Sequence, residues 1–261
     1  MGTRVAVLVS CLFLISGFAV LPAAAIAPSF LASGPIVKAG TTSSLNWAGY
    51  VVTGAAGSVT DAAGSWVQPG VTCPSSGNTY AAFWVGIDGY SDSTVEQTGT
   101  LAECQSGTAT YFAWYEFYPR PSFEIKTISV HAGDVISANV QYVNGKFVVT
   151  ITDVTTGKTF STSAKINSAQ RSSAEWIAEA PSSGGSILPL ADFGTSSYGL
   201  DYTGVASTNY ATVGGTTGAI GSFGTSVVAI TMVDSAGGVK ASPSSLTSDG
   251  TSFTVTWYSS T

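Results

Sequence analysis

The chain has 261 residues, of which 44% are hydrophobic and only 9% charged, with 15 acidic against 9 basic side chains. An acidic balance without clustered Lys and Arg argues against nucleic acid or an anionic membrane as a partner. Charge this sparse, against roughly 25% in ordinary domains, also limits self-repulsion as pH falls and so suits an acidic setting.

Arg4 precedes the apolar run "VAVLVSCLFLISGFAVL", which ends in "PAAAIA" with small residues at Ala23, Ala25 and Ala27. These are the parts of a secretory signal. The run is about 17 residues long, at the lower limit for a membrane span, so an uncleaved anchor is the alternative to cleavage after Ala25 or Ala27. Cys11 is read as part of the signal. Residues 1–27 are thus a signal peptide, 28–42 ("PSFLASGPIVKAGTT") a short pro-segment or linker, and 43–261 one domain. The expected product is secreted, extracellular and monomeric, with no membrane partner after processing. Two cysteines remain, Cys73 and Cys104. An even count in an exported chain favours a disulfide, with free thiols as the alternative.

From Ser43 onward, short alternating runs are separated by Gly, Ser, Thr and Asn. In "FWVGIDG", Trp84 and Asp88 share a strand face with Gly86. In "TYFAWYEFYP", Phe112, Trp114, Glu116 and Tyr118 share one face, and Tyr111, Ala113, Tyr115 and Phe117 the other. "VISANVQYV" alternates Ile136, Ala138, Val140 and Tyr142 with polar residues, the period of a half-buried strand. Asn144-Gly145, a favoured two-residue turn, then leads into "KFVVTITDV". In "AEWIAE", Glu175, Ile177 and Glu179 fall on one face of a strand. "SVVAITMV" and "SFTVTWYS" close the series, and no segment combines helical periodicity with a start cap and a stop. The pattern predicts an all-β, antiparallel two-sheet sandwich.

Several chemistries are disfavoured. His131 is the single histidine, no G-x-S-x-G elbow occurs, and H-E-x-x-H is absent, so neither a serine triad nor a catalytic zinc is expected. No phosphate-cradling glycine loop stands between a strand and a helix. Neither a metal nor a cofactor is therefore expected. What remains is carboxylates, amides, hydroxyls and aromatics. The aromatic face bearing Glu116 suits an open groove for an extended polymer, either polypeptide or polysaccharide; a plain sandwich strand with a rim carboxylate is the alternative.

"LNWAGYV" (45–51), "WVGIDG" (84–89), "EQTG" (96–99), "WYEFYP" (114–119) and "AEWIAE" (174–179) occur in the order found in the glutamic peptidases, or eqolisins. The chain resembles that family over about Ser43 to Tyr258, as a bacterial-type member. The resemblance implies a concanavalin-like sandwich with a concave peptide-binding side and a catalytic dyad of Gln97 and Glu175. It places Trp47, Trp84, Asp88, Trp114, Glu116 and Tyr118 in or behind the groove that binds the substrate. Ala48 stands where the opening motif has glycine, and Glu96 where fungal members have an aliphatic residue. Regular pairing would turn Glu96 away from the dyad; a bulge would make it a rival acid.

On this resemblance the expected activity is endopeptidase cleavage in acid. Glu175, with a reference pKa near 4.3, would deprotonate water and then protonate the leaving amine, while Gln97 would donate to the oxyanion. Two rivals remain: a polysaccharide hydrolase, which needs two close carboxylates, and a non-catalytic carbohydrate-binding module.

Overall fold

The alternation read in the sequence becomes strand structure. The structure is a computed structural model and describes residues 43–261; the signal and pro-segment expected over 1–42 lie outside the described residues. In chain order the strands are β1 (Ser43–Ser44), β2 (Trp47–Thr53), β3 (Val59–Val67), β4 (Asn78–Ile87), β5 (Val95–Gln105), β6 (Thr108–Tyr118), β7 (Phe123–Ser129), β8 (Val135–Val143), β9 (Lys146–Asp153) and β10 (Lys158–Ala164). They continue as β11 (Ser173–Glu179), β12 (Ser182–Ser183), β13 (Ser186–Ile187), β14 (Thr195–Tyr198), β15 (Tyr210–Val213), β16 (Thr216–Ala219), β17 (Val227–Val233), β18 (Val239–Pro243) and β19 (Phe253–Trp257). Among the described residues, helix is confined to one turn at Leu200–Thr203 and a 3-10 segment at Ile220–Ser226.

Between β8 and β9, Asn144 and Gly145 both take positive φ, 52° and 76°, the backbone a two-residue turn needs to match strand twist. Ile136, Ala138 and Val140 of β8 are buried as the alternation requires. His131 sits in the turn before β8, where its backbone N–H donates to Asp134 Oδ2 at 2.7 Å.

The pairing is almost wholly antiparallel. One ladder runs β7–β6–β5–β4–β11–β2–β17. A second contains β10, β9, β8 and β3, with β14 and β15 both against β3. The two are not separate in hydrogen bonding: β17 pairs with β2 through Val227–Ile230 and with β18 through Met232 and Val233. Among the described residues, seventeen strands therefore form one continuous network, with β12 and β13 a separate ribbon. The cause is a strand long enough to serve two neighbours in succession.

Period-two geometry sorts the first ladder into two faces. Ala48, Tyr50, Phe83, Val85, Ala174 and Trp176 join Trp66, Ile136, Phe147 and others in the main core. The residues between them, including Trp47, Val51, Trp84, Trp114 and Ile177, form a second cluster on the opposite face. Cys73 and Cys104 are joined in a disulfide with Cα atoms 5.3 Å apart, tying the segment before β4 to the end of β5.

Candidate active site

Cross-strand register assembles the second face. Glu175 of β11 lies opposite Gly86 of β4, Gly86 opposite Gln97 of β5, and Gln97 opposite Glu116 of β6. Val51 of β2 flanks Glu175 on its other side. Strands sit about 4.8 Å apart, so Glu175 and Gln97 are separated by about 10 Å of backbone, with a residue lacking a side chain between them. A Cβ on Gly86 would lie 3.2 Å from Gln97 Cβ and 3.0 Å from the Trp84 ring. Glycine here leaves the space through which acid and amide face each other.

All four of Glu175, Gln97, Glu116 and Glu96 are completely buried. Neither carboxyl oxygen of Glu175 meets hydrogen-bond geometry with a protein donor, nor does Gln97 Oε1. Burial pushes the Glu175 carboxyl well above the usual carboxylate range; the Ser173 hydroxyl offsets this in part, and the charges of Asp88, Asp92 and Glu96 add to it. The reference value near 4.3 therefore does not carry over to Glu175, because an ion loses its hydration here without gaining a cation. Gln97 Nε2 donates to Glu116 Oε2 at 2.7 Å.

The next row contains Ile177, Trp84, Gly99 and Trp114. Trp84 packs edge-on against Trp47 with ring centroids 4.8 Å apart. Its indole N–H donates to Glu179 Oε2 at 2.7 Å, and Asn46 Nδ2 donates to Glu179 Oε1 at 3.2 Å. Burial raises the Glu179 carboxyl to about 8 against the opposing effect of these donors. Glu179 thus anchors the tryptophan beside the acid–amide pair. Sequence reading noted only its shared face with Glu175; the four-residue spacing in "AEWIAE" was the available signal. Tyr118 ends β6 opposite Val95, half-buried on the same face.

Asp88 follows β4 with φ 72°. Its Oδ2 accepts from the Arg171 backbone N–H at 2.6 Å and its Oδ1 from the Ser172 N–H at 2.7 Å. The carboxylate is committed to the turn that leads into β11, which pins the start of the strand carrying Glu175. Burial and then the neighbouring Asp92 charge raise it to about 6. Asp92, which sequence reading did not single out, accepts from the Gly89 and Thr94 N–H groups and from Ser172 Oγ. Glu96 lies opposite Ile87 and Phe117 in unbroken register, both residues of the main core. It faces away from Gln97, and no bulge intervenes. Among the described residues, no group of three or more His, Cys, Asp or Glu side chains is arranged to hold a metal.

The fold and this row define an all-β protein whose second face carries a buried acid and a buried amide across a glycine gap. Comparison with known proteins is consistent. The Peptidase A4 family matches residues 45–257, and the chain belongs to that family. It is 32% identical to aspergillopepsin-2 of Aspergillus niger over 183 residues, covering 60% of this chain and 64% of that protein. The chain likewise spans 64% of the length of scytalidopepsin B, a relative from Scytalidium lignicola at 31% identity over 173 residues. Among solved structures, aspergilloglutamic peptidase from Aspergillus niger superposes with a TM-score of 0.58 at 30% identity, covering 69% of this chain and 99% of that one.

Proposed function

We propose that the protein is a secreted glutamic endopeptidase that hydrolyses polypeptides on the concave face of a concanavalin-like, two-sheet sandwich. The observation that carries this reading is the placement of Glu175 and Gln97 on one face, two strands apart, with Gly86 between them. The names of the related peptidases support it.

In the proposed reaction, ionised Glu175 takes a proton from water as the water oxygen bonds to the scissile carbonyl carbon. An N–H of Gln97 donates to the oxyanion that forms, and Gln97 Oε1 helps to orient the water. When the C–N bond breaks, Glu175 returns its proton to the leaving amine. Trp47, Trp84, Trp114 and Tyr118 provide apolar walls, while Asp88 and Glu116 act from behind them. An amide suits this task because its donor does not titrate. Residues 1–27 would direct export, residues 28–42 would be a pro-segment or linker, and the mature domain would act as a monomer on polypeptides.

The geometry disfavours a retaining polysaccharide hydrolase. Such enzymes place two carboxyls about 5–5.5 Å apart, whereas Glu175 and Glu116 lie three strands apart with Gly86 and Gln97 between them.

The test is cleavage of denatured casein across about pH 2–8 by the purified secreted protein, beside Glu175→Gln and Gln97→Ala. Cleavage on the acid side that both folded variants lose is the expected result. Absence of cleavage by wild type at every pH, even after removal of residues 28–42, would overturn the peptidase reading.

A further inference from the structure

An amide has two unlike ends, and something must decide which end Gln97 turns toward Glu175. Gln97 and Glu116 are directly opposed on β5 and β6, both fully buried, with Nε2 donating to Oε2 at 2.7 Å. A carboxyl oxygen that carries no proton can only accept hydrogen bonds, and Glu116 Oε2 is the acceptor in this pair. It therefore pairs with the amide nitrogen and repels the amide oxygen, so one of the two amide orientations is selected. With Nε2 drawn toward β6, Gln97 Oε1 is left without a protein partner, as is the carboxyl of Glu175. One of the two Nε2 hydrogens is spent on Glu116 and the other is not.

The scaffold holds this pair in place. On the opposite face of β5 the neighbouring Thr98 Oγ1 donates to the Trp114 carbonyl at 2.7 Å, which locks β5 and β6 in register one residue from the pair. Gly86, on the other side of Gln97, offers no side chain that could hold the amide in a competing orientation.

We propose that Glu116 is a positioning residue rather than a substrate contact: its carboxylate fixes the Gln97 amide so that Oε1 is presented to the attacking water and the remaining N–H to the oxyanion. The inference rests on the acid–amide reading above and adds to it a third residue that acts only through Gln97.

The experiment is steady-state kinetics on a fluorogenic peptide for wild type, Glu175→Gln, Gln97→Ala, Glu116→Gln and the double variant Gln97→Ala/Glu116→Gln. Glu116→Gln keeps the shape but no longer discriminates between the two amide ends. It should lower kcat by about 10–10²-fold, the scale of a mispositioned catalytic group, with KM little changed. In the Gln97→Ala background the same substitution should have no further effect. The inference is overturned if Glu116→Gln raises KM at unchanged kcat, if it retains full activity, or if its loss adds to that of Gln97→Ala. If Glu116→Gln does not fold, Glu116→Asp carries the test: the carboxyl stays, the acceptor withdraws by about one C–C bond, and kcat should again fall without KM. Wild-type activity lost in Glu175→Gln but kept in Glu116→Gln sinks this inference alone. An inactive wild type sinks it together with the peptidase reading.

Discussion

Replacing Glu96 with glutamine should remove one identifiable part of the dependence of this protein's stability on pH. Glu96 is fully buried on the core face of β5, opposite Ile87 and Phe117, and neither of its oxygens has a protein partner. Burial, with the charges of Asp88 and Asp92 adding to it, pushes the carboxyl up to about 10. In the unfolded chain it returns to about 4.3. Between these values the folded state keeps a proton that the unfolded state has released, so stability falls as pH rises. The slope approaches about 1.4 kcal/mol per pH unit, which over the interval from pH 4.3 to 7 sums to at most about 3.7 kcal/mol. Below pH 4 both states are protonated and the contribution disappears. Urea denaturation at pH 4, 5.5 and 7, followed by tryptophan fluorescence, reads the effect directly. Wild type and Glu96→Gln should be close at pH 4 and diverge as pH rises, with the variant the more stable at pH 7. Asp88, Glu175 and Glu179 are also raised by burial and act in the same direction, but they are common to both proteins, so the difference isolates Glu96. Parallel pH dependences in the two proteins would refute the reasoning. The physical consequence is a fold that gains stability in acid, where its proposed activity lies.

If Glu175 is the general base proposed above, its buried carboxyl predicts that the acid limb of kcat/KM lies above pH 4.3, because it must ionise from a raised value; a limb at or below 4.3 would show that the free enzyme hydrates this group. Gly86→Ala brings a methyl to 3.2 Å from Gln97 Cβ and 3.0 Å from the Trp84 ring, so activity on casein should drop by about 10–10²-fold while the circular dichroism spectrum is kept. Unchanged activity there would mean that the gap is not needed. Cys104→Ser opens a loop with a sequence separation of 31 and should lower the unfolding free energy by about 3–4 kcal/mol in the chain-entropy model, measured by urea titration with the disulfide-bonded protein as reference.

Much of the local structure was legible because alternation is a property of the chain itself. Ile136, Ala138 and Val140 announce their strand through period two, and Asn144-Gly145 announces the turn after it. The same rule places Trp114, Glu116 and Tyr118 on one face of β6, and Glu175 with Glu179 on one face of β11. The orientation of Glu96 away from Gln97 also follows from it once pairing is regular. Resemblance to the eqolisins added Gln97 and Glu175, which period and composition alone do not distinguish from ordinary loop and surface residues.

What no local pattern contains is which strands become neighbours. β11 inserts between β2 and β4, and only that long-range pairing puts Glu175 opposite Gly86 and hence across from Gln97. The same pairing delivers the Arg171 and Ser172 N–H groups to Asp88 and Glu179 to the Trp84 indole, so two residues read from sequence as lying in or behind the groove are hydrogen-bonded into the frame. Protonation is likewise a tertiary property. A glutamate carries the same reference pKa wherever it stands in a sequence, and it is desolvation by distant strands that separates Glu96, Glu175 and Glu179 from that value. The sequence by itself determined the strands and the faces of their side chains, since those depend on neighbours along the chain. Register, burial and charge state depend on neighbours in space, and only the tertiary structure decided them.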